Sequence, residues 1–244
     1  MSANQNQTNV PIDLLKKYDR PGPRYTSYPT APVWSEDVQA DAYRSALKNA
    51  GADSRPLALY CHIPFCRKRC FYCGCNTCVS NEQSRATEYV RAIADEIDTT
   101  TGLLGRRTAV SQLHLGGGTP TFLDVDGFGI LLDKLHDSFE FEAECEKSIE
   151  LDPRVTTPEQ LDFLASRGFN RASLGVQDFD PDVQDAIGRV QPVEQVQVIL
   201  KQCRQLGFKG INFDLIYGLP RQTPESFAQT LDTTISLRPD RLAV

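Results

Sequence analysis

The chain has 244 residues, 40% of them hydrophobic and 24% charged, which is ordinary for a globular domain. Its 26 lysines and arginines stand against 32 aspartates and glutamates, a net charge of −6, with no basic stripe or tail; this excludes nucleic acid as the main partner. There is no signal peptide and no apolar run long enough to span a membrane, so the eight cysteines point to a reducing, cytoplasmic compartment in which thiols serve metals.

Taken in chain order, the first ten residues are polar. Gly22-Pro23-Arg24-Tyr25-Thr26-Ser27-Tyr28-Pro29-Thr30 flanks a central Arg–Tyr pair with prolines and suits an extended arm laid over an opening. From Pro56 an apolar run with β-type residues reaches Phe65 and is stopped by Pro64; it reads as a buried strand over 57–62 that delivers the following loop at its C-terminal end. Further strands are expected over 111–115, 147–151, 171–176 and 211–217, with the start of another over 241–244. The second to fifth end in the turns GGGTP, DP, QDF and GLP. Between them lie helical stripes: Tyr89, Ile93 and Ile97; Val193, Val196, Leu200, Cys203 and Leu206; and Phe227, Leu231 and Ile235. Thr157-Pro158-Glu159-Gln160 sets a cap, a first-turn proline and a capping-box residue in order, Thr223-Pro224-Glu225 repeats the cap and proline, and Gly168 and Gly207 sit where left-handed C-terminal caps belong.

Repeated strand–helix units imply a parallel sheet with right-handed crossovers. Five complete units and a sixth strand predict an α/β fold, an open partial (β/α)6 barrel of TIM type, with its active site at the C-terminal ends of the strands. Residues 1–50 are read as the arm with a short helix over the barrel mouth, and residues 51–244 as the barrel. The sequence stops inside its last strand with no helix to cover it, which predicts a longer parent protein.

Most of the chemistry lies in Cys66-Arg67-Lys68-Arg69-Cys70-Phe71-Tyr72-Cys73, a C-x3-C-x2-C spacing. Three thiolates so close on a tight loop can ligate three corners of a four-iron, four-sulfur cube. Without an obvious fourth ligand one iron is left open, and an open iron can chelate S-adenosylmethionine, one of the cofactors that support radical chemistry. Cys75 and Cys78 make five cysteines within 13 residues, so a four-ligand zinc site is not dismissed on count alone. Cys61, Cys145 and Cys203 read as inert buried thiols. At the strand ends, Gly116-Gly117-Gly118 lets the backbone come close to a ligand. Glu150 can accept hydrogen bonds from hydroxyl groups, Gln177 ends the fourth strand, and Asp214 on an apolar strand is costly to bury without a partner. Of the three histidines, His136 reads as a helix-surface residue, and His62 and His114 as packing residues on strands.

The string HIPFC…CFYCGCN, from His62 to Asn76, resembles the radical S-adenosylmethionine enzymes and, within them, the oxygen-independent coproporphyrinogen III oxidases (dehydrogenases). The resemblance implies a [4Fe-4S] cluster on Cys66, Cys70 and Cys73 and two bound S-adenosylmethionine molecules. The first would meet Tyr60, Gly117 and Glu150; the second would meet Tyr72, Gly118, Thr119, Gln177, Arg189 and Asp214. Tyr72 departs mildly, since related enzymes often carry Phe there, and either ring can stack on adenine. The arm is a second point of likeness, and Arg24 would hold a substrate propionate or pin the arm.

The implied reaction is oxidative decarboxylation of two propionates of coproporphyrinogen III to vinyl groups, giving protoporphyrinogen IX in heme biosynthesis. A 5′-deoxyadenosyl radical would take hydrogen from the propionate β-carbon, with an external electron donor and acceptor and with the enzyme a monomer. Related enzymes continue into a mostly helical C-terminal domain that this sequence lacks. Two rivals remain. Heme chaperones of the same superfamily share the HIPFC loop but usually read CDFNS where this chain reads Cys73-Gly74-Cys75-Asn76. An inactive, truncated iron–sulfur protein is the other.

Overall fold

The computed structural model describes residues 11–19, 30, 33–35 and 37–244. Arg24 and residues 22–29 around it lie outside the described residues. The chain divides into two compact units, the first ending at Ser45 and the second running from Ala46 to Val244. In the first, α1 (Ile12–Tyr18) buries none of its residues. A second helix, α2 (Ala40–Ala52), ends with Gly51 buried in the larger unit, where Leu47 and Ala50 pack on the main core.

The larger unit alternates strands and helices. After β1 (Leu57–Ile63), a short ribbon of β2 (Phe65–Cys66) and β3 (Cys78–Val79) precedes α3 (Gln83–Leu104). Then follow β4 (Ala109–Gly117), α4 (Val125–Ser138), β5 (Glu140–Leu151), α5 (Pro158–Ser166), β6 (Arg171–Gln177), α6 (Pro181–Ala186), α7 (Val193–Gln205), β7 (Gly210–Leu215), α8 (Pro224–Leu237) and β8 (Arg241–Ala243). Six strands form one sheet in the order β1-β4-β5-β6-β7-β8. Every pairing is parallel, so each strand lies beside the next main-sheet strand in the chain. The sheet is open, and this is the partial barrel that the strand–helix repeat predicts.

Local chemistry places the helix ends. Thr157 accepts from the Gln160 amide at 3.3 Å while the Gln160 side chain accepts from the Thr157 amide at 2.8 Å, a reciprocal capping box. Thr223 and Ser226 repeat it at α8. Gly168 and Gly207 take φ of 83° and 84° directly after α5 and α7, the left-handed turn that glycine adopts without strain. The core lies between the sheet and its helices. Leu113, Leu115, Ile149, Leu174, Ile211 and Phe213 from the strands meet Val90, Phe128, Leu132, Leu161, Leu164, Val196 and Cys203 from the helices.

Three expectations are corrected. Of the stripe Phe227–Leu231–Ile235 on α8, Leu231 packs on the main core and Phe227 is half-buried, but Ile235 is 65% exposed, and the fully buried positions are Thr230 and Thr234. The helix is held by a polar anchor, since Thr230 donates to Asp178 at 2.6 Å and accepts from the Phe179 amide at 3.1 Å. Strand β5 starts at Glu140, seven residues before the expected Lys147; there Phe141, Ala143 and Cys145 alternate with glutamates at the period of a strand, although most of that half stays exposed. His136 is half-buried rather than a surface residue. Its ring lies 4.6 Å from that of Phe141, and its Nε2 is 3.2 Å from Lys147 Nζ. Burial and the neighbouring lysine push its imidazole below the ordinary value.

Gly51 packs against the backbone at the end of α3: a Cβ built on it would fall 1.9 Å from the Leu104 carbonyl oxygen. The adjoining Arg106 donates to the Gly51 carbonyl at 2.6 Å and to that of Asp53. Gly51→Ala is therefore expected to destabilise the fold by about 2 kcal/mol or more through overpacking. Gly102→Ala, where a Cβ would meet nothing within 4 Å, is expected to be neutral or to stabilise by up to ~1 kcal/mol. Urea denaturation of both variants measures the contrast.

Candidate active site at the strand C-termini

Side chains alternate across a strand, and here the alternation separates two chemistries. On the helix-covered face stand Cys61 and Ile63, Leu113 and Leu115, Ile149, Ala172, Leu174 and Val176, then Ile211, Phe213 and Leu215, all buried. The other face carries Tyr60, His62, His114, Ser148, Glu150, Ser173, Gln177, Asn212 and Asp214, which are half-buried or exposed. These residues bond laterally from strand to strand. His114 Nδ1 is 2.7 Å from Ser148 Oγ, Ser173 donates to Asp214 at 2.9 Å, and Asn212 donates to Ser173 at 2.8 Å.

The cysteine loop starts at the end of β1 and is closed by the β2–β3 ribbon. The Cys78 amide donates to the Pro64 carbonyl at 2.7 Å and the Ser80 amide to the Cys66 carbonyl at 3.0 Å. A third bond, from the Phe71 amide to the Ile187 carbonyl at 3.0 Å, ties the loop to the end of α6. Cys66, Cys70, Cys73 and Cys75 then border one cavity of about 250 Å³. Cys78 instead packs against the main core from β3. Cys66 Sγ lies 3.4 Å from Thr119 Oγ1. Burial pushes the Cys75 thiol up to about 11, and the nearby Cys73 adds to the shift.

The same cavity is bordered by Tyr72, Gly117, Gly118 and Thr119 and, across it, by Glu150, Gln177, Arg189 and Asp214. Tyr60 stands just outside. Its ring stacks on that of His114 at 5.7 Å, and its hydroxyl shares a 3.0 Å hydrogen bond with His62 Nδ1. Burial pushes the Tyr72 phenol upward. Glu150 accepts from the Gly117 amide at 3.1 Å. The glycines are required by the protein's own packing: a Cβ on Gly118 would lie 2.7 Å from the Pro64 carbonyl, and one on Gly117 2.9 Å from the His62 ring. Gln177, at a bulge in β6, has φ of 68°, a backbone strain of the kind that clusters at functional sites.

One cluster escapes sequence reading. Asp152 and Arg189 are each 7% exposed. Asp152 accepts from Arg154 at 2.6 Å and from Arg189 at 3.2 Å. Both guanidiniums also donate to Cys70 Sγ, Arg154 at 3.8 Å and Arg189 at 3.7 Å. Arg189 makes a further 2.7 Å bond to the Gly175 carbonyl, while its Nε is buried with no partner among the described residues. Of its members only Arg189 is named by the family resemblance; for Asp152 and Arg154 the sequence offers just the turn Asp152-Pro153-Arg154 directly after an expected strand end.

The donor set fits an iron–sulfur cube better than a single ion. Among the described residues no three His, Cys, Asp or Glu side chains converge as ligands of one metal do. In a cube each cysteine takes a different iron, and the three thiols need only line one hollow. The carboxylates of Glu150 and Asp214 and the guanidinium of Arg189 on the far wall offer acceptors and donors to an adenosyl and amino-acid ligand. Asp214 is pushed above the ordinary carboxylate value by burial.

The profile of the radical SAM superfamily matches residues 60–234. The chain belongs to that superfamily. It is 48% identical over 238 residues to the oxygen-independent coproporphyrinogen III oxidase of Escherichia coli K12, an alignment covering 98% of this chain and 51% of that protein. It is 42% identical over 238 residues to the oxidase of the same description from Helicobacter pylori J99, covering 96% and 52%. The solved structure of the E. coli enzyme, HemN, described as a radical SAM enzyme, superposes with a TM-score of 0.86 at 46% identity, covering 96% of this chain and 52% of that one. The chain thus spans about half the length of the curated relatives it matches. No helix among the described residues is long and apolar enough to cross a membrane.

Burial alone would raise the Asp152 carboxyl, but the hydrogen bond from Arg154 and the charges of Arg189 and Arg154 outweigh it and hold it below its usual 3.8. A depressed carboxylate stabilises the fold at every pH above the ordinary value, and that contribution is lost as pH falls through the lowered one. Asp152→Asn should therefore cost about 3–5 kcal/mol at neutral pH, because the buried Arg189 and the half-buried Arg154 lose their counter-charge. Its loss of stability below about pH 4 should be shallower than that of the natural protein. Thermal unfolding between pH 3 and pH 7 measures both.

Proposed function

We propose that this chain carries the radical-generating half of an oxygen-independent coproporphyrinogen III dehydrogenase, which converts two propionates of coproporphyrinogen III to vinyl groups. The observation that carries the reading is the meeting of Cys66, Cys70 and Cys73 with Glu150, Arg189 and Asp214 around one cavity at the strand ends. The names of the relatives supply the substrate. In this reading a [4Fe-4S] cluster on the three cysteines and S-adenosylmethionine together supply the one-electron chemistry that removes a hydrogen atom from the propionate.

The chain's own residues bind, orient and shield. Glu150, already fixed by the Gly117 amide, accepts from ribose hydroxyls of a first S-adenosylmethionine beside Tyr60 and Gly117. Asp214, held by Ser173 and Asn212, serves a second with Tyr72, Gly118, Thr119, Gln177 and Arg189. Hydrogen-atom transfer needs no general base, in keeping with a chain that has only three histidines. Positioning and exclusion of water are then the protein's main tasks. Arg24 holds a substrate propionate, an external donor and acceptor carry the electrons, and the protein acts as a cytoplasmic monomer.

Anaerobic reconstitution with iron and sulfide is expected to load about four irons per chain. Cys66→Ser, Cys70→Ser and Cys73→Ser should each lose most of that iron, and Cys75→Ser should keep it. With S-adenosylmethionine, reductant and coproporphyrinogen III, the complete protein should give a product lacking two carboxyl groups by mass spectrometry. Arg24→Ala should raise KM for the porphyrinogen with little change in the iron load. Heme binding without turnover would overturn the reading in favour of a chaperone.

A further inference from the structure

The three cysteines have unequal surroundings. Cys66 has one neutral hydroxyl at 3.4 Å. Cys70 faces two guanidinium groups, Arg154 Nη2 at 3.8 Å and Arg189 Nη1 at 3.7 Å. Between those guanidiniums sits a single carboxylate, Asp152. Two positive charges, Arg189 buried and Arg154 half-buried, against one negative leave an excess of one, and among the described residues neither arginine has a second carboxylate within ion-pair distance. A buried unpaired cation is costly, and the one further anionic candidate within reach of both is the Cys70 sulfur. Arg154 is held there firmly. It donates to Asp152 through Nε, Nη2 and its own backbone amide, and Pro153 restricts the chain between the two.

We propose that Arg154, clamped by Asp152, is a positioning residue for the cluster: its charge-assisted hydrogen bond to Cys70 raises the cluster's reduction potential and makes Cys70 electronically distinct from Cys66 and Cys73. Hydrogen bonds to cluster sulfurs and local charge are among the levers that set iron–sulfur potentials. The inference rests on the assignment of Cys66, Cys70 and Cys73 as cluster ligands. Arg154 differs from Arg189 in what it touches. Both arginines border the cavity, but Arg189 also reaches the Gly175 carbonyl, whereas every side-chain bond of Arg154 goes to Asp152 or Cys70.

The test is redox titration of the anaerobically reconstituted protein, followed by electron paramagnetic resonance without substrate. Removing one hydrogen bond from a charged donor is worth about 1.5 kcal/mol, about a tenfold change in an equilibrium constant. At a fixed poise near the natural midpoint, Arg154→Gln should therefore lower the ratio of reduced to oxidised cluster about tenfold, a shift of ~59 mV to more negative potential for a one-electron couple. Arg154→Lys, which keeps the charge, should recover part of the shift. A role confined to holding Asp152 would lower the unfolding temperature of Arg154→Gln and leave the potential where it was; that result would overturn the proposal. If Arg154→Gln fails to assemble a cluster, Arg154→Lys against the natural protein decides, and identical potentials and spectra would overturn the proposal as well. Absence of a four-iron cluster from the natural protein would instead refute the ligand assignment on which the inference stands.

Discussion

The register that sets Ile63 beside Gly117, Leu115 beside Ile149, Glu150 beside Ser173 and Gly175 beside Asp214 brings the ends of successive parallel strands level with one another. Each strand therefore presents one face to the helices and the other to a shared hollow, and a slip of one residue would exchange the two. With Leu174 and Phe213 sealed under α5 and α7, Ser173 and Asp214 have nowhere to point but the open face. The site follows from that exchange being forbidden. Burying Phe213 or Leu115 is worth about 2 kcal/mol each, and a slipped strand would forfeit several such terms together.

On that platform the cysteine loop is a short excursion pinned at three places. The β2–β3 ribbon closes its base, the Phe71 amide ties its middle to the end of α6, and Thr119 meets Cys66 at its rim. Pro64 and Gly118 come together just past the paired ends of β1 and β4, where a Cβ on Gly118 would sit 2.7 Å from the Pro64 carbonyl. The glycine run is a packing requirement of the loop before it is anything to a ligand. A site that must hold three thiols in fixed relation gains from having its base tied to the sheet itself.

The charges around Cys70 set a second constraint. Asp152 follows β5, Arg154 comes next across a proline, and Arg189 arrives from the stretch after α6, so two chain segments meet in one largely buried ionic group. Such groups contribute little net stability for their desolvation cost. Here the group makes the surroundings of Cys70 more cationic than those of Cys66.

Much of this was legible in the amino-acid order. The C-x3-C-x2-C spacing, the period-two pattern of SLGVQ and INFDL, and the caps at Thr157, Thr223, Gly168 and Gly207 all state local preferences that survive folding, because each depends on neighbours a few residues away. The run from β1 through the cysteines was legible for the same reason. What the order of residues could not state was which partners distant segments supply. The burial of Thr230 in place of Ile235 depends on Asp178, 52 residues earlier. The acidic start of β5 is a strand because β4 lies beside it. Arg189 reaches Cys70 across 119 residues. The sequence by itself determined the strand–helix alternation and the thiol loop, since both are written in short-range spacing and periodicity; only the tertiary structure decided which charges surround each cysteine, since that depends on the register and closure of the whole sheet.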